Sequence, residues 1–208
     1  MKASPETLLQ PVIHVVDDDA SMRLALEDLL ASVGLQVCSH ASVADFLAGE
    51  PPDAPGCLIL DIRMPGQSGM DFHRQMQGHG LRLPVIFITG HGDIAMGVEA
   101  MKNGAIEFLP KPFRDQDLLD AIQRGLAQDQ ERRSREAGMA LLHGHWEALT
   151  TGEQAVMKGV ARGLLNKQIA DELGLSEVTV KVRRGNVMKK MQARTLADLI
   201  RMADRLGL

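Results

Sequence analysis

Five short apolar runs divide the first 125 residues: positions 12–16, 36–40, 57–60, 85–88 and 106–109. They are short and, apart from the mixed run 36–40, rich in Val, Ile, Leu and Phe, as strands buried on both faces of a parallel sheet should be. Helical patterns fill the gaps. Met22, Leu26, Leu29, Leu30 and Val33 recur at steps of three and four, with Gly34 as a stop. Segments 43–48, 69–77, 94–101 and 117–126 complete the alternation. Strand and helix alternating five times predict an α/β domain around a parallel sheet.

Polar residues follow the ends of these runs. Asp17, Asp18 and Asp19 follow the first, Asp61 the third, Thr89 the fourth, and Lys111 the fifth after Pro110. Open parallel sheets bind ligands at the carboxyl ends of their strands, so residues distant in sequence are predicted to share one pocket. Crowded carboxylates repel unless a cation offsets them. Mg²⁺ suits such a site because it takes oxygen ligands and shares phosphate oxygens with carboxylates. An Asp so neutralised can attack a phosphoryl group and form an acyl phosphate. Lys111 and Thr89 would then meet the transferring oxygens. Each piece has a plainer reading: the Asp triplet as a helix cap, Asp61 as a turn residue, Lys111-Pro112 as a surface turn. The conjunction, in order and each at a strand end, favours the pocket. Gly90-His91-Gly92-Asp93 reads as a turn with Asp93 capping the next helix.

The second part of the chain differs. Residues 1–125 carry nine basic and seventeen acidic side chains, whereas 126–208 carry fourteen basic and ten acidic. All five Phe lie at or before Phe113, and Trp146 stands alone afterwards. A mild overall charge of −4 thus hides an acidic module joined to a basic one, a pattern that suits nucleic-acid binding by the latter. The stretch 127–147 reads as the end of a long helix and then a linker. Thr150 with Glu153 fits a capping box. Asn166, Ser176 and Thr195 are expected to cap three more helices, with Gly163 and Gly174 as stops. Four short helices in some sixty residues suit a helix-turn-helix unit. In the third of them Val178, Val182, Met188 and Met191 are expected to face inward. Lys181, Arg183, Arg184, Lys189 and Lys190 are left for solvent or for DNA phosphates and base edges. The last helix has an apolar face of Leu196, Leu199, Ile200 and Ala203, for core packing or a dimer contact.

Other classes are disfavoured. No apolar run approaches the ~20 residues of a membrane helix. Met1 to Gln10 lacks the pattern of a signal peptide. Cys38 and Cys57 read as buried free thiols of a reducing, cytoplasmic compartment.

The segments Val15-Val16-Asp17-Asp18-Asp19, Leu60-Asp61-Ile62-Arg63-Met64-Pro65-Gly66, Ile88-Thr89-Gly90 and Leu109-Pro110-Lys111-Pro112-Phe113 resemble the receiver domain of bacterial two-component response regulators. The resemblance implies Asp61 as phosphoacceptor and Asp17 and Asp18 as the acid pocket, with Asp18 the more direct Mg²⁺ ligand. It implies the Arg63 carbonyl as a further ligand, Thr89 and Phe108 as switch residues, and Lys111 against the phosphoryl group. Leu149-Thr150, Glu153, Gly163, Asn166-Lys167-Gln168-Ile169-Ala170, Leu173-Gly174 and Val178-Thr179-Val180-Lys181-Val182 resemble the LuxR-type effector domain. That resemblance implies Lys181 and Val182 at base edges, Arg184 and Lys189 near phosphate, and Asn166 and Lys167 near the DNA backbone. Two departures stand out: Gly152, where the capping box commonly carries Arg, and Arg183, where the family often has His. Gly185 inside the recognition helix costs about 1 kcal/mol of propensity relative to Ala.

The whole chain is similar to FixJ/NarL-type response regulators. The implied domains are a receiver at 11–128, a linker at 129–147 and a helix-turn-helix domain at 148–208. The implied partners are a sensor histidine kinase, double-stranded DNA, RNA polymerase and, on phosphorylation, a second copy of the chain through a face bearing Met96, Val98, Met101 and Lys102. No membrane partner is expected. A phosphorelay intermediate working by protein contact is disfavoured by the basic helix-turn-helix. An aspartate-nucleophile phosphohydrolase commonly needs a second Asp two residues after the nucleophile, where this chain has Arg63. The chain is therefore expected not to be an enzyme.

Overall fold

The computed structural model describes residues 10–49, 53–90 and 94–208. The chain divides into two compact units, residues 1–133 and 134–208.

The first unit carries β1 (Val12–Val16), β2 (Gln36–His40), β3 (Gly56–Asp61), β4 (Val85–Thr89) and β5 (Glu107–Pro110). They form one parallel sheet in the order β2-β1-β3-β4-β5. The three inner strands are buried at every residue, which is why they read as unbroken apolar runs. The helices are α1 (Ala20–Ser32), α2 (Val43–Ala48), α3 (Gly69–Gln75), α4 (Ile94–Lys102) and α5 (Asp115–Glu147). One face of the sheet packs Val16, Leu58, Leu60 and Phe87 with Phe46 of α2, Phe72 of α3 and Ala100 of α4. The other packs Ile13, Val15, Ile59 and Ile86 with Leu26 and Leu30 of α1 and Leu118 and Ile122 of α5. Consecutive strands run outward from β1 to β2 and then reverse to β3. The crevice between β1 and β3 is thus the switch point where a ligand site is expected.

Local chemistry explains the boundaries. Asp19 caps α1 by accepting from the backbone N–H of Ser21 and Met22. Gly34 ends that helix at φ 78°, in the left-handed region that glycine enters without steric cost. The segment expected as one helix over 69–77 instead tightens after Gln75 into a 3-10 turn, Met76–His79. Cys57 is buried, but Cys38 is exposed, because β2 is an edge strand. The turn expected at 91–93, with its Asp93 cap, lies outside the described residues.

The stretch 127–147 is helical throughout: α5 runs unbroken for 33 residues. Its apolar stripe over Leu118, Ile122 and Gly125 continues onto Asp129, which is fully buried. That carboxylate accepts from the Gly56 N–H at 3.1 Å and from Arg133 Nε at 2.8 Å, and is paired with Arg132. A buried charge is tolerated only when paired and hydrogen-bonded in this way.

The second unit holds α6 (Thr151–Ala161), α7 (Asn166–Leu173), α8 (Glu177–Lys190) and α9 (Leu196–Arg205). Thr150 and Glu153 form the capping box, and Ser176 and Thr195 cap α8 and α9. Asn166 does not cap α7 but is its first residue. The preceding Leu165 has no side-chain acceptor, and its N–H donates instead to Gln168 Oε1 at 2.8 Å. Gly174 turns α7 into α8 at φ 63°. The core joins Leu142 of α5 to Val156, Met157, Ile169, Val180, Val187, Met191, Leu199 and Ala203. The inward line of α8 is therefore Val180, Val187 and Met191, whereas Val178 and Val182 are 72% and 59% exposed. Two residues along a helix are a rotation of about 200°, so moving the buried position from 178 and 182 to 180 turns those valines outward.

Candidate functional site

At the carboxyl edge of the sheet three strands deliver one polar cluster. Asp17 leaves β1, Asp61 ends β3, and Lys111 follows β5. Lys111 Nζ donates to Asp17 Oδ2 at 2.7 Å and to Asp61 Oδ1 at 3.1 Å. Asp61 Oδ2 accepts from the Arg63 N–H at 3.0 Å. Lys111 is itself pinned, its N–H donating to the Thr89 carbonyl at 2.7 Å. Arg23 of α1 donates to the Asp17 carbonyl at 2.6 Å. Thr89 is fully buried beside them on β4. Gly69 starts α3 so close to Asp61 that any Cβ there would overlap the Asp61 carbonyl oxygen.

Asp17 and Asp61 are buried, Asp18 is exposed, and the three each offer an oxygen within 4.8 Å of the others. The donors are all hard oxygens, one of them open to solvent, so the cluster fits a divalent cation. Burial pushes the Asp61 carboxyl up, against the pull of Lys111, and the Asp17 charge adds to the rise. Lys111 is disfavoured by burial, but its bonds to Asp17 and Asp61 outweigh this and raise it. A single ammonium shared by crowded carboxylates leaves room for further positive charge. Asp19 is not part of the cluster; it serves as the α1 cap.

Phe108 lies on β5, half-buried, with its ring against Gly97 of α4, where a Cβ would stand 3.2 Å from Cδ1. The ring lines an open groove of about 600 Å³ with Val98, Met101, Lys102 and Glu107. Val98, Met101 and Lys102 are exposed as expected. Met96 departs from expectation, because it packs against the core beneath.

On the second unit, Lys181, Val182 and Lys189 are exposed on α8, and Lys167 is exposed at the start of α7. Arg184 is turned partly inward, four residues from buried Val180, and its Nη1 donates to Asn166 Oδ1 at 2.9 Å. The structure thus brings Arg184 and Asn166 together and leaves the other four open. Lys190, also basic, is committed to Glu153 at 2.6 Å. That bond and the Thr150 N–H hold the Glu153 carboxyl down at about 2. The buried Asp129 was missed in the sequence, although an Asp in an apolar helical stripe with Arg three and four residues on is a legible signal.

The geometry defines a class first: a phosphoacceptor-type acid pocket on a five-stranded α/β fold, in one chain with a helix-turn-helix unit. Residues 13–123 match the response regulator receiver domain, and 147–203 match the bacterial regulatory proteins of the luxR family. The chain is 52% identical to Nodulation protein W of Bradyrhizobium diazoefficiens, over 98% of this chain and 89% of that one. It is 43% identical to the transcriptional regulatory protein FixJ of Azorhizobium caulinodans, over 96% and 93%. The solved structure of the response regulator StyR superposes with a TM-score of 0.86 at 48% identity, covering 94% of this chain and 99% of that one. This chain belongs to the response regulator family, as a receiver domain joined to a LuxR-type DNA-binding domain. It is a phosphorylation-controlled transcriptional regulator, and its family works with a sensor kinase and DNA. No helix among the described residues is long and apolar enough to cross a membrane.

Proposed function

We propose that Asp61 is the residue phosphorylated. The observation that carries this is Lys111 Nζ reaching Asp61 and Asp17 together at the switch point of the sheet. An Asp61 oxygen attacks the phosphorus of a phosphohistidine on a sensor histidine kinase. The P–N bond breaks as the P–O bond forms, and the departing imidazole leaves neutral once protonated. Lys111 moves from carboxylates to phosphoryl oxygens, and the Thr89 hydroxyl donates to one of them. Asp18, Asp17, Asp61 and the Arg63 carbonyl are the protein ligands for Mg²⁺. When bound, Mg²⁺ offsets the negative charge that carboxylates and phosphoryl oxygens bring together.

Phosphorylation adds charge and strong acceptors at a buried position, and Thr89 and Phe108 are the residues that respond. Movement of Phe108 alters the α4–β5 face, whose exposed Val98 and Met101 suit an isologous dimer. In the second unit Lys181 and Val182 meet base edges, and Arg184, Lys189, Asn166 and Lys167 lie along the DNA backbone. We take 11–128 as the receiver, 129–147 as the linker and 148–208 as the DNA-binding domain. RNA polymerase is the further partner, the chain acts as a regulator rather than an enzyme, and the compartment is the cytoplasm, where the DNA lies.

The test is to treat the full chain with Mg²⁺ and a small phosphodonor. The parent gains an acid-stable, base-labile phosphoryl group and sediments faster, whereas Asp61→Asn does neither. Equal labelling of the two chains rejects Asp61, and unchanged sedimentation of the labelled parent rejects the dimer.

A further inference from the structure

Arg183 and Gly152, the two departures from the effector pattern, are in contact. Gly152 is the second residue of α6, a position open to other residues, since its φ is not in the left-handed region. A Cβ there would fall 2.7 Å from Arg183 Cζ and 3.2 Å from Nη2, and would overlap Nη1. The guanidinium therefore lies on the bare Cα of Gly152. Arg183 as a residue is half-buried, and among the described residues its guanidinium has no hydrogen bond or ion pair. Glu153, the acid next to its seat, is already engaged by Lys190 and the Thr150 N–H. Burying part of a guanidinium without an acceptor is costly, and its planar fork matches a carboxylate or a phosphate, of which the neighbouring carboxylate is already taken.

Position on the helix narrows the ligand. Val182 and Lys189 lie opposite the Val180–Val187 line of α8 and Lys181 about 100° round from Val180, and all three are exposed. Arg183 is rotated about 100° from Val182 toward α6, on the flank between that side and the Val180–Val187 line, and is half-buried there. A basic side chain on the flank of a groove-facing helix, turned away from Val182 and Lys189, is placed for the positioning contacts to phosphate rather than for base edges. We infer that Arg183, seated by Gly152, grips a phosphate of bound DNA. This rests on the DNA-binding role of the domain.

The probes are a duplex recovered by the full-length parent from a random-sequence pool and a scrambled duplex of equal length, each titrated across a salt series. Arg183→Ala is expected to weaken both by a similar factor, on the order of tenfold, and to flatten the salt slope by about 0.9 per bound chain. Gly152→Ala keeps the arginine but unseats it. It should weaken both duplexes in the same way while melting no lower than the parent, because alanine suits a helix and only a flexible side-chain end must move. The double variant should bind no worse than Arg183→Ala alone. Parent-like affinity and slope for Gly152→Ala would overturn the inference. So would a loss in Arg183→Ala confined to the selected duplex, which marks a base contact. All chains are first treated with Mg²⁺ and the small phosphodonor; if the parent so treated retains no duplex, the DNA-binding role itself fails, and the inference with it.

Discussion

At the sheet edge Lys111 meets partners 94 and 50 residues away in sequence, with side chains only 1% and 7% exposed. On α8 the groups proposed to meet DNA lie within nine positions, 181 to 189, with Lys181, Val182 and Lys189 exposed and Arg183 and Arg184 half-buried. The first site exists only because the core holds four strand ends in register. The second needs one helix to be turned the right way. Chemistry and packing are therefore tied together in the receiver and separable in the effector. That fits their tasks, since a buried carboxylate must be desolvated to respond, whereas a DNA face must stay wet until DNA arrives.

The largest effect expected from breaking this contrast is at Lys181. Lys181→Ala should cost about 1–3 kcal/mol in affinity for a selected duplex. Phosphoryl labelling at Asp61 should match the parent, because the side chain supports no packing. A labelling rate that fell with DNA affinity would dissolve the contrast.

Two glycines sharpen it within the effector. A Cβ at Gly159 would stand 2.8 Å from Ile169 Cγ1, so Gly159→Ala should destabilise this unit by about 1–3 kcal/mol through overpacking. Nothing lies within 4 Å of the corresponding position at Gly185, so Gly185→Ala should stabilise by about 0.5–1 kcal/mol. Thermal melts followed by Trp146, which belongs to this unit alone, read both. Shifts of equal sign would count against the packing described.

The smallest effect is a difference in acid response. Burial, aided by the charge of His40, lowers His14 from 6.5 to about 4, and its Nδ1 has no hydrogen-bond partner among the described residues. The folded receiver then refuses a proton that the unfolded chain takes up. This contribution is complete above pH 6.5 and is lost as pH falls toward 4. Glu153 is lowered from 4.5 to about 2 by its bond to Lys190, so its contribution is lost only between those values. Between pH 6.5 and 4.5 the receiver's melting transition, followed by circular dichroism, should fall while the Trp146 transition holds. A parallel decline of both transitions would refute this assignment.

Much of this was legible in the sequence because it depends on near neighbours. Thr150, Ser176 and Thr195 cap the helices they precede, and Gly34 and Gly174 end theirs, through bonds spanning a few residues. The inner strands announced their burial by unbroken apolar runs. Asp17, Asp61, Thr89 and Lys111 were legible as one pocket, since a parallel sheet sends every strand's carboxyl end to the same edge.

What local pattern left open was settled by contacts distant in sequence. Cys38 and Cys57 both read as buried thiols, but the strand order makes Cys38, in the mixed run 36–40, an edge residue and Cys57 core. The inward line of α8 could be drawn through Val178 and Val182 or through Val180 and Val187, and only packing against α6 and α7 chose the latter. The stretch after 127, polar enough to read as a fading helix, stays helical with Asp129 buried against Gly56 and two arginines. Gly152 and Arg183 were visible separately as oddities, and only the tertiary structure joined them. Hydrogen bonds to neighbouring residues are encoded within a turn of sequence. Burial and side-chain proximity depend on which distant surfaces meet, and no local pattern fixes that.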